Sequence, residues 1–182
     1  MKDLGAAKKI LGMEISREDG VVHLYQKRYI GKVLKRLNVQ MSKPYKDEVE
    51  HMSKVPYASA VSCIMYAIVC THSDIVQSVS VLSRYMANLE KRHWEAVKWI
   101  LRYLKGASDV GLTFRKSEGI LILGYVDSDY AGDLDRRRST TGYIFTLIGS
   151  AISWKSTLQT IFALSTTEAE YMAATEVVKE AI

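Results

Sequence analysis

The chain has 182 residues, of which 48% are apolar, and its formal net charge is +5 at pH 7. This composition is ordinary for a globular protein of one domain or two small ones. The longest apolar run, Ala60–Cys70, is shorter than the roughly 18 residues that a membrane span requires. The first residues, Met1–Gly5, lack the apolar core of a secretory signal. We therefore expect neither a membrane protein nor a secreted one.

Two hairpin strands and a helix are predicted first. The runs Ile10–Ile15 and Val21–Tyr25 flank Asp19-Gly20, a dipeptide typical of tight hairpin turns. Apolar residues at helical spacing predict a basic amphipathic helix over Gln26–Leu37. The polar, aperiodic segment Asn38–Lys54 is predicted to be a linker or loop.

Helical patterns fill the middle of the chain, over Tyr57–Cys70, Asp74–Met86 and Lys91–Lys105. Pro56 precedes the first helix, Asp74 and Asn88 are candidate caps of the next two, and Gly106 should end the third.

The two cysteines, Cys63 and Cys70, lie in the first of these helices and lack a CxxC spacing. We interpret them as buried free thiols, which fits a reducing intracellular compartment, cytoplasmic or nuclear.

Charge is distributed unevenly along the chain. From Tyr125 onward there are five basic and eight acidic residues, whereas the preceding 124 residues carry twenty basic and twelve acidic ones. On the third helix, the side chains of Lys98, Arg102 and Lys105 share one face and could follow a phosphate backbone. A solvated basic face is the alternative interpretation, so charge alone leaves a nucleic-acid partner open.

The last third of the chain predicts a strand meander between two pairs of carboxylates. The apolar run Ile120–Val126 leads into Asp127 and Asp129, and Glu168 and Glu170 open a helix. Three short strand-like runs lie between the pairs, Thr141–Ile148, Ala151–Trp154 and Thr160–Leu164. A meander returns the chain beside its first strand, so the helix start can face Asp127. Clustered carboxylates suit a hard divalent cation.

Individual polar groups in this stretch have competing interpretations. Ser165 and Glu168 form a capping-box pattern, which leaves Glu170 as the helix residue free to bind metal. Asp129 and Asp133 are weaker metal candidates, because turns accept aspartate for local reasons. The run Arg136, Arg137, Arg138 and Ser139 could bind a phosphate or could be a charged hairpin approach. His72 and His93 lack the partners of a zinc site.

The motifs YVDSDYAGD, DRRRSTTGYIF, AISWKS and ALSTTEAEYMAA together resemble the ribonuclease H domain of copia-type retrotransposon Pol polyproteins. The resemblance implies that Asp127 and Glu170 are catalytic, metal-binding residues of a two-metal Mg²⁺ site, or Mn²⁺ in its place, with Asp129 as a further ligand candidate. It implies hydrolysis of the RNA strand of RNA–DNA hybrids. The family's two later acidic ligands would fall after Ile182, so we expect a truncated domain with little turnover.

The earlier part of the chain also resembles this family. MKDLGAAKKILGMEI is similar to the last palm strands of the reverse transcriptase, and VPYASAVSCIMYAIVCTHSDIVQSVS with the residues up to Gly106 is similar to its thumb and connection. The polymerase's Tyr-x-Asp-Asp motif would lie before Met1, so no polymerase activity is expected. The upstream polymerase domain is a candidate partner.

We therefore predict an α/β (α+β) chain, with a mostly helical reverse transcriptase segment over 1–115 and the first half of a ribonuclease H-like mixed sheet with its helix over 116–182. Two alternatives remain open. The chain could be a non-catalytic nucleic-acid-binding remnant, or an unselected pseudogene product, since His72-Ser73 stands where the family usually has Arg-Pro.

Overall fold

The computed structural model describes residues 5–37 and 55–182, so the predicted linker Asn38–Lys54 lies outside the described residues. The chain divides into two compact units, Met1–Arg115 and Lys116–Ile182. Both helices and antiparallel strands are present, which confirms the mixed α/β class. The assignment of the two units to a reverse transcriptase and a ribonuclease H segment stays a prediction.

The first unit, 1–115, contains a four-stranded antiparallel sheet in the order β1-β2-β3-β4. Its strands are β1 (Lys9–Ile10), β2 (Met13–Glu18), β3 (Val21–Tyr25) and β4 (Gly111–Arg115). The predicted hairpin is confirmed, because β2 pairs with β3 across Asp19 and Gly20, which both have positive φ. Strand β4 was not predicted; it pairs along its whole length with β3.

The helices of this unit are α1 (Lys27–Arg36), α2 (Tyr57–Cys70), α3 (Val76–Ser83) and α4 (Lys91–Gly106), with a short 3-10 turn at Ser73–Ile75. Two cap predictions were wrong. Asp74 lies inside the 3-10 turn, and α4 is capped by Glu90 rather than Asn88, through a reciprocal capping box with His93.

A hydrophobic core joins the four helices. Its fully buried members lie on the inner faces of α1, α2 and α4, with Leu82 and Val79 contributed by α3. The largest of them are Ile30, Ile64, Val97, Leu101 and Leu104. The cysteines lie at the margin of this core as free, half-buried thiols, so the expectation of full burial was wrong.

The second unit, 116–182, is a three-stranded antiparallel meander followed by one helix. Its elements are β5 (Ile122–Asp129), β6 (Thr140–Leu147), β7 (Ser150–Leu158) and α5 (Thr166–Ala181), with the strands in the order β5-β6-β7. The predicted strand over Thr160–Leu164 is absent, because β7 runs on to Leu158 and 160–164 is the turn into α5. Only antiparallel pairs occur among the described strands, so the sheet is not mixed there.

Hydrogen bonds hold α5 onto this sheet. The side-chain nitrogen of Gln159 donates to the Thr141 hydroxyl at 3.1 Å and to the Ala169 carbonyl at 2.9 Å. Further along the helix, the Ser153 hydroxyl donates to the Glu180 carboxylate at 3.0 Å. The helix therefore covers the sheet face that carries Thr141 and Ser153.

None of the helices in the described ranges has the length and apolar character needed to cross a bilayer.

Candidate functional site

Asp127 lies near the end of β5, paired with Gly142 of β6. Its side chain is exposed, and one carboxylate oxygen accepts the backbone N–H of Ser128 at 2.9 Å. The sequence pattern predicted this carboxylate at a strand end, and it lies two residues before the last residue of β5, Asp129.

Glu170 lies at the start of the second turn of α5. The helix start follows the predicted capping box, since the Ser165 hydroxyl accepts the Glu168 N–H at 3.1 Å. The Glu168 carboxylate accepts the N–H of Leu164 at 2.7 Å rather than that of Ser165. Glu168 is thus used locally, and Glu170 stays exposed at an open groove beside Val126.

The pairing register decides how these two carboxylates relate. Side chains alternate between the two faces of a strand, and directly paired residues share a face. Val126 lines an open groove together with Glu170 and Ala174 of α5, so Val126 projects toward the helix. Asp127 therefore projects from the opposite face. Glu170 lies beside Val126 on the face of β5 that α5 covers, and the side chain of Asp127 projects from the other face.

The donor set does not amount to a metal centre in the part of the chain that the structure describes. No group of three or more His, Cys, Asp or Glu side chains there could hold a metal ion. A hard cation such as Mg²⁺ prefers near-octahedral oxygen coordination. Two exposed carboxylates that are separated by strand β5 do not supply such coordination.

The carboxylates of Asp129 and Asp133 both contact the loop after β5. The Asp129 carboxylate lies against Gly132, in the space that a Cβ at this position would occupy. Asp133 is buried, and its carboxylate accepts the backbone N–H groups of Asp135 and Arg136, each at 3.1 Å. This is the local turn role that the sequence offered as the alternative to metal binding.

The arginine run has a mixed environment. Arg136 and Arg137 are exposed, whereas Arg138 lies over the Phe162 ring with its guanidinium carbon 5.3 Å from the ring centroid. Ser139 is buried, and its hydroxyl accepts the Ala131 N–H at 3.1 Å. The two exposed arginines are therefore the members of this run that a phosphate could reach.

On α4, the basic residues lie beside aromatic ones that sequence analysis did not single out. Lys98 and Arg102 are half-buried and Lys105 is exposed. Trp99 and Tyr103 are large side chains on the solvent side of the same helix. Helical periodicity could have found them, because neither falls on the buried stripe that contains Val97, Ile100, Leu101 and Leu104.

His72 and His93 belong to no group of three or more potential metal ligands among the described residues. His93 belongs to the cap of α4 and stacks on Tyr85, with ring centroids 3.9 Å apart. His72 is 0% exposed, and neither ring nitrogen has a hydrogen-bond partner in the described residues. Its Nδ1 lies 3.6 Å from a carboxylate oxygen of Asp74. Burial lowers the pKa of His72, and the Asp74 carboxylate offsets part of that change.

Burial and neighbouring groups raise the pKa of several tyrosines in the same unit, Tyr29 and Tyr103 among them. For Tyr29 the cause is chiefly burial, with a contribution from Cys63, and the pKa reaches about 12. For Tyr103 the largest cause is its hydrogen bond to Asp74. Both phenols stay protonated at neutral pH, where they act as hydrogen-bond donors.

Comparison with known proteins gives a consistent set of relatives. The retrovirus-related Pol polyprotein from transposon TNT 1-94 of Nicotiana tabacum is 51% identical over 202 aligned residues, which cover 100% of this chain and 15% of that polyprotein. The corresponding polyprotein from transposon RE2 of Arabidopsis thaliana is 36% identical over 173 residues, covering 88% of this chain and 12% of that one. The chain thus spans a small part of these relatives' length.

A relative of similar size also matches. Secreted RxLR effector protein 161 of Plasmopara viticola is 46% identical over 131 residues, which cover 72% of this chain and 92% of that protein. No family model matches the chain, and no solved structure matches it. The matches to the transposon polyproteins run through both compact units. The chain therefore belongs to the family of retrovirus-related Pol polyproteins from copia-type transposons and corresponds to a segment of such a polyprotein.

Proposed function

We propose that residues 116–182 form the opening part of a ribonuclease H-type domain, whose parent polyprotein hydrolyses the RNA strand of RNA–DNA hybrids during reverse transcription. The observation that carries this proposal is the order of elements in the second unit. A strand ending in Asp127 leads through an antiparallel meander to a helix that places Glu170 beside the same strand.

In this proposal, Asp127 and Glu170 are two of the carboxylates that hold Mg²⁺, or Mn²⁺, in the parent domain. The ions would activate the attacking water and stabilise the leaving oxygen. The hybrid would be recognised through 2′-hydroxyl and phosphate contacts. Arg136 and Arg137, both exposed on the loop before β6, are the candidates for a phosphate contact in this unit.

The 182-residue chain alone should have little or no hydrolytic activity. Its described carboxylates do not form a metal-binding group, because β5 separates the side chain of Asp127 from that of Glu170. Further oxygen ligands from the parent domain are needed before a divalent cation can be held.

The test compares the parent polyprotein's ribonuclease H region with its Asp127→Asn and Glu170→Gln variants, on a labelled RNA–DNA hybrid in Mg²⁺. Substituting even residues that only support metal ligands costs about 10–100-fold in activity, so loss of a ligand should reduce cleavage by about 100-fold or more. Glu118→Gln, an exposed acid in the same unit, is the matched control and should cleave normally.

Two outcomes would contradict the proposal. Wild-type cleavage by Asp127→Asn would remove this residue from the catalytic set. Mg²⁺-dependent cleavage by the purified 182-residue chain would contradict the part of the proposal that requires further oxygen ligands from the parent domain.

A second candidate function is nucleic-acid binding without catalysis, through α4 of the first unit. Lys98 and Lys105 form no ion pair within the described residues, so their charges are available to phosphates. Binding should weaken steeply between 50 and 200 mM salt, as expected where lysines release counterions from phosphates. The logarithm of the binding constant should fall by about 0.7–0.9 per phosphate contact for each tenfold increase in salt concentration. An affinity that does not change with salt would exclude this candidate.

A further inference from the structure

The solvent side of α4 carries two aromatic side chains that the hydrophobic core does not use. Trp99 is 67% exposed and Tyr103 is 46% exposed. They are four residues apart, so they lie one helical turn from each other on the same side of the helix. Large aromatic side chains usually bury most of their surface, so two in succession on one exposed face point to a ligand.

These aromatic residues lie directly beside the basic ones. At about 100° per residue, Trp99 and Tyr103 are about 60° and 100° around the helix from Arg102 in one direction. Lys98 and Lys105 are about 40° and 60° from Arg102 in the other direction. The helix therefore presents an aromatic stripe and a basic stripe, with Arg102 between them.

Internal contacts fix the position of each aromatic ring. The Arg102 guanidinium carbon lies 4.9 Å from the centroid of the Trp99 ring, so the cation covers one side of the indole and leaves the other side open. The Tyr103 hydroxyl donates a hydrogen bond to the Asp74 carboxylate, which ties this ring to the 3-10 turn before α3. Rigid aromatic groups lose little entropy when a ligand stacks on them.

The chemistry of the two stripes matches one polymer. Single-stranded nucleic acid offers a row of phosphates and a row of unstacked bases, and proteins bind it with a basic track beside aromatic side chains. In a duplex the bases are stacked on each other, so only the phosphates would be recognised and the aromatic stripe would stay unused. A membrane surface would need a continuous apolar face, but the apolar face of α4 is buried in the core.

We infer that the exposed face of α4 is a binding site for single-stranded nucleic acid, in which Trp99 and Tyr103 stack on bases while Lys98, Arg102 and Lys105 contact phosphates. This inference rests on the second candidate function above and specifies its ligand. It is independent of the ribonuclease H proposal, because it involves neither metal nor hydrolysis.

The test measures binding of the 182-residue chain to a fluorescent single-stranded 16-nucleotide oligonucleotide without divalent metal. Trp99→Ala should weaken binding about 5- to 150-fold, which is the effect of about 1–3 kcal/mol per stacked base. Trp99→Phe keeps a stacking ring and should stay within about threefold of wild type. The control Val69→Ala changes an exposed apolar residue of α2, 72% exposed, and should bind as wild type.

Two further measurements separate the two stripes. Lys98→Ala and Lys105→Ala should each lower the salt dependence of binding by about one phosphate contact, whereas Trp99→Ala should leave it unchanged. Titration with the oligonucleotide should quench tryptophan fluorescence in the wild type, and most of that quenching should be lost in Trp99→Phe. Thermal unfolding of each variant checks that the core is intact.

The inference is overturned if Trp99→Ala binds like Val69→Ala, or if the matched duplex binds as tightly as the single strand. Binding to anionic vesicles with loss of oligonucleotide binding would also overturn it in favour of a membrane partner. Failure here would leave the ribonuclease H proposal untouched, since hydrolysis by the parent is measured on a different unit with metal present.

Discussion

The two units bury very different side chains. The first unit encloses a cluster of large aliphatic residues contributed by four helices, with Leu101 and Val97 fully buried. In the described part of the second unit, the buried apolar side chains are three alanines and one tyrosine that is 9% exposed, namely Ala151, Ala169, Ala173 and Tyr143. Its other buried groups are polar, namely Asp133, Ser139, Thr140, Thr141 and Gln159.

This difference indicates that the units are stabilised in different ways. Burying one large aliphatic side chain contributes about 1.5–3 kcal/mol, whereas a typical hydrogen bond contributes about 0.5–1.5 kcal/mol net. We therefore expect the first unit to be held by apolar burial and the second by specific hydrogen bonds. Because small gains offset conformational entropy less well, the second unit should unfold first.

The largest expected effect is a cavity in the first unit. Leu101→Ala removes a side chain that is 0% exposed and should lower the free energy of unfolding of this unit by about 2–5 kcal/mol. Fluorescence of Trp94 and Trp99 in a Trp154→Phe background reports on this unit alone. Val69→Ala on the exposed face of α2 should change stability by less than about 0.5 kcal/mol.

An equal loss of stability in both units would contradict this prediction, because it would mean that the chain unfolds as one cooperative body. Trp154 in a background of Trp94→Phe and Trp99→Phe provides the second signal. The wild-type chain should then show two transitions, the one reported by Trp154 at lower temperature.

The next effect in size concerns the hydrogen bonds of the second unit. Gln159→Ala deletes both bonds from the buried amide nitrogen and leaves the Ala169 carbonyl without that donor, so we expect a loss of about 1–3 kcal/mol. The Trp154 transition should shift to lower temperature while the transition of the first unit stays in place. Leu164→Ala, which changes an 85% exposed side chain near the same turn, is the control.

If Gln159→Ala instead leaves the Trp154 transition in place, the hydrogen bonds to Thr141 and Ala169 do not hold the helix. Apolar contacts of α5 would then have to carry the stability of the second unit, contrary to the comparison above.

The smallest expected effect depends on pH and belongs to the first unit. Among the residues that the structure describes, the buried ring of His72 has no hydrogen-bond partner, and burial lowers its pKa below the ordinary value near 6.5. The folded state therefore resists protonation. The stability that depends on neutral His72 is complete above about pH 6.5 and is lost as pH falls toward the folded pKa, by at most about 1.4 kcal/mol per pH unit.

His72→Leu removes both the buried polar nitrogens and this protonation step. The variant should match or exceed the wild type at pH 7.5 and show a flatter response between pH 7 and pH 5. Asp74→Asn should steepen the response, since the Asp74 carboxylate raises the pKa of His72 and its loss leaves burial unopposed. A wild-type stability that is constant over this range would contradict the prediction.

Local signals in the sequence predicted the local structure well. The bounds of α2 were predicted to the residue, because a helical apolar pattern begins directly after Pro56. The hairpin at Asp19-Gly20 and the cap at Ser165 were also predicted, since each depends on the conformational preferences of neighbouring residues. These features need no information from distant parts of the chain.

Features that depend on distant partners were harder to predict. Strand β4 pairs with β3, which lies about ninety residues earlier, and no local pattern in the sequence predicts that pairing. The sequence likewise predicted that the start of α5 faces Asp127 in a carboxylate cluster. Which face of β5 receives α5 depends on the register with β6, and no local pattern specifies that register. The aromatic stripe on α4 was visible in the helical pattern, but only after the buried face had been identified.

Strand β5 has one hydrogen-bonded neighbour, β6, among the described strands. In an antiparallel pair, successive backbone N–H groups point alternately toward the neighbouring strand and away from it. Deuterium uptake along Ile122–Asp129 should therefore follow a two-residue rhythm, with slow and fast amides in alternation. The slow set would report on opening of the β5–β6 pair, and the fast set would become slow only when another strand joins from outside. Within one exchange measurement of β5, the slow amides thus serve as the reference against which slowing of the fast amides by an added strand is detected.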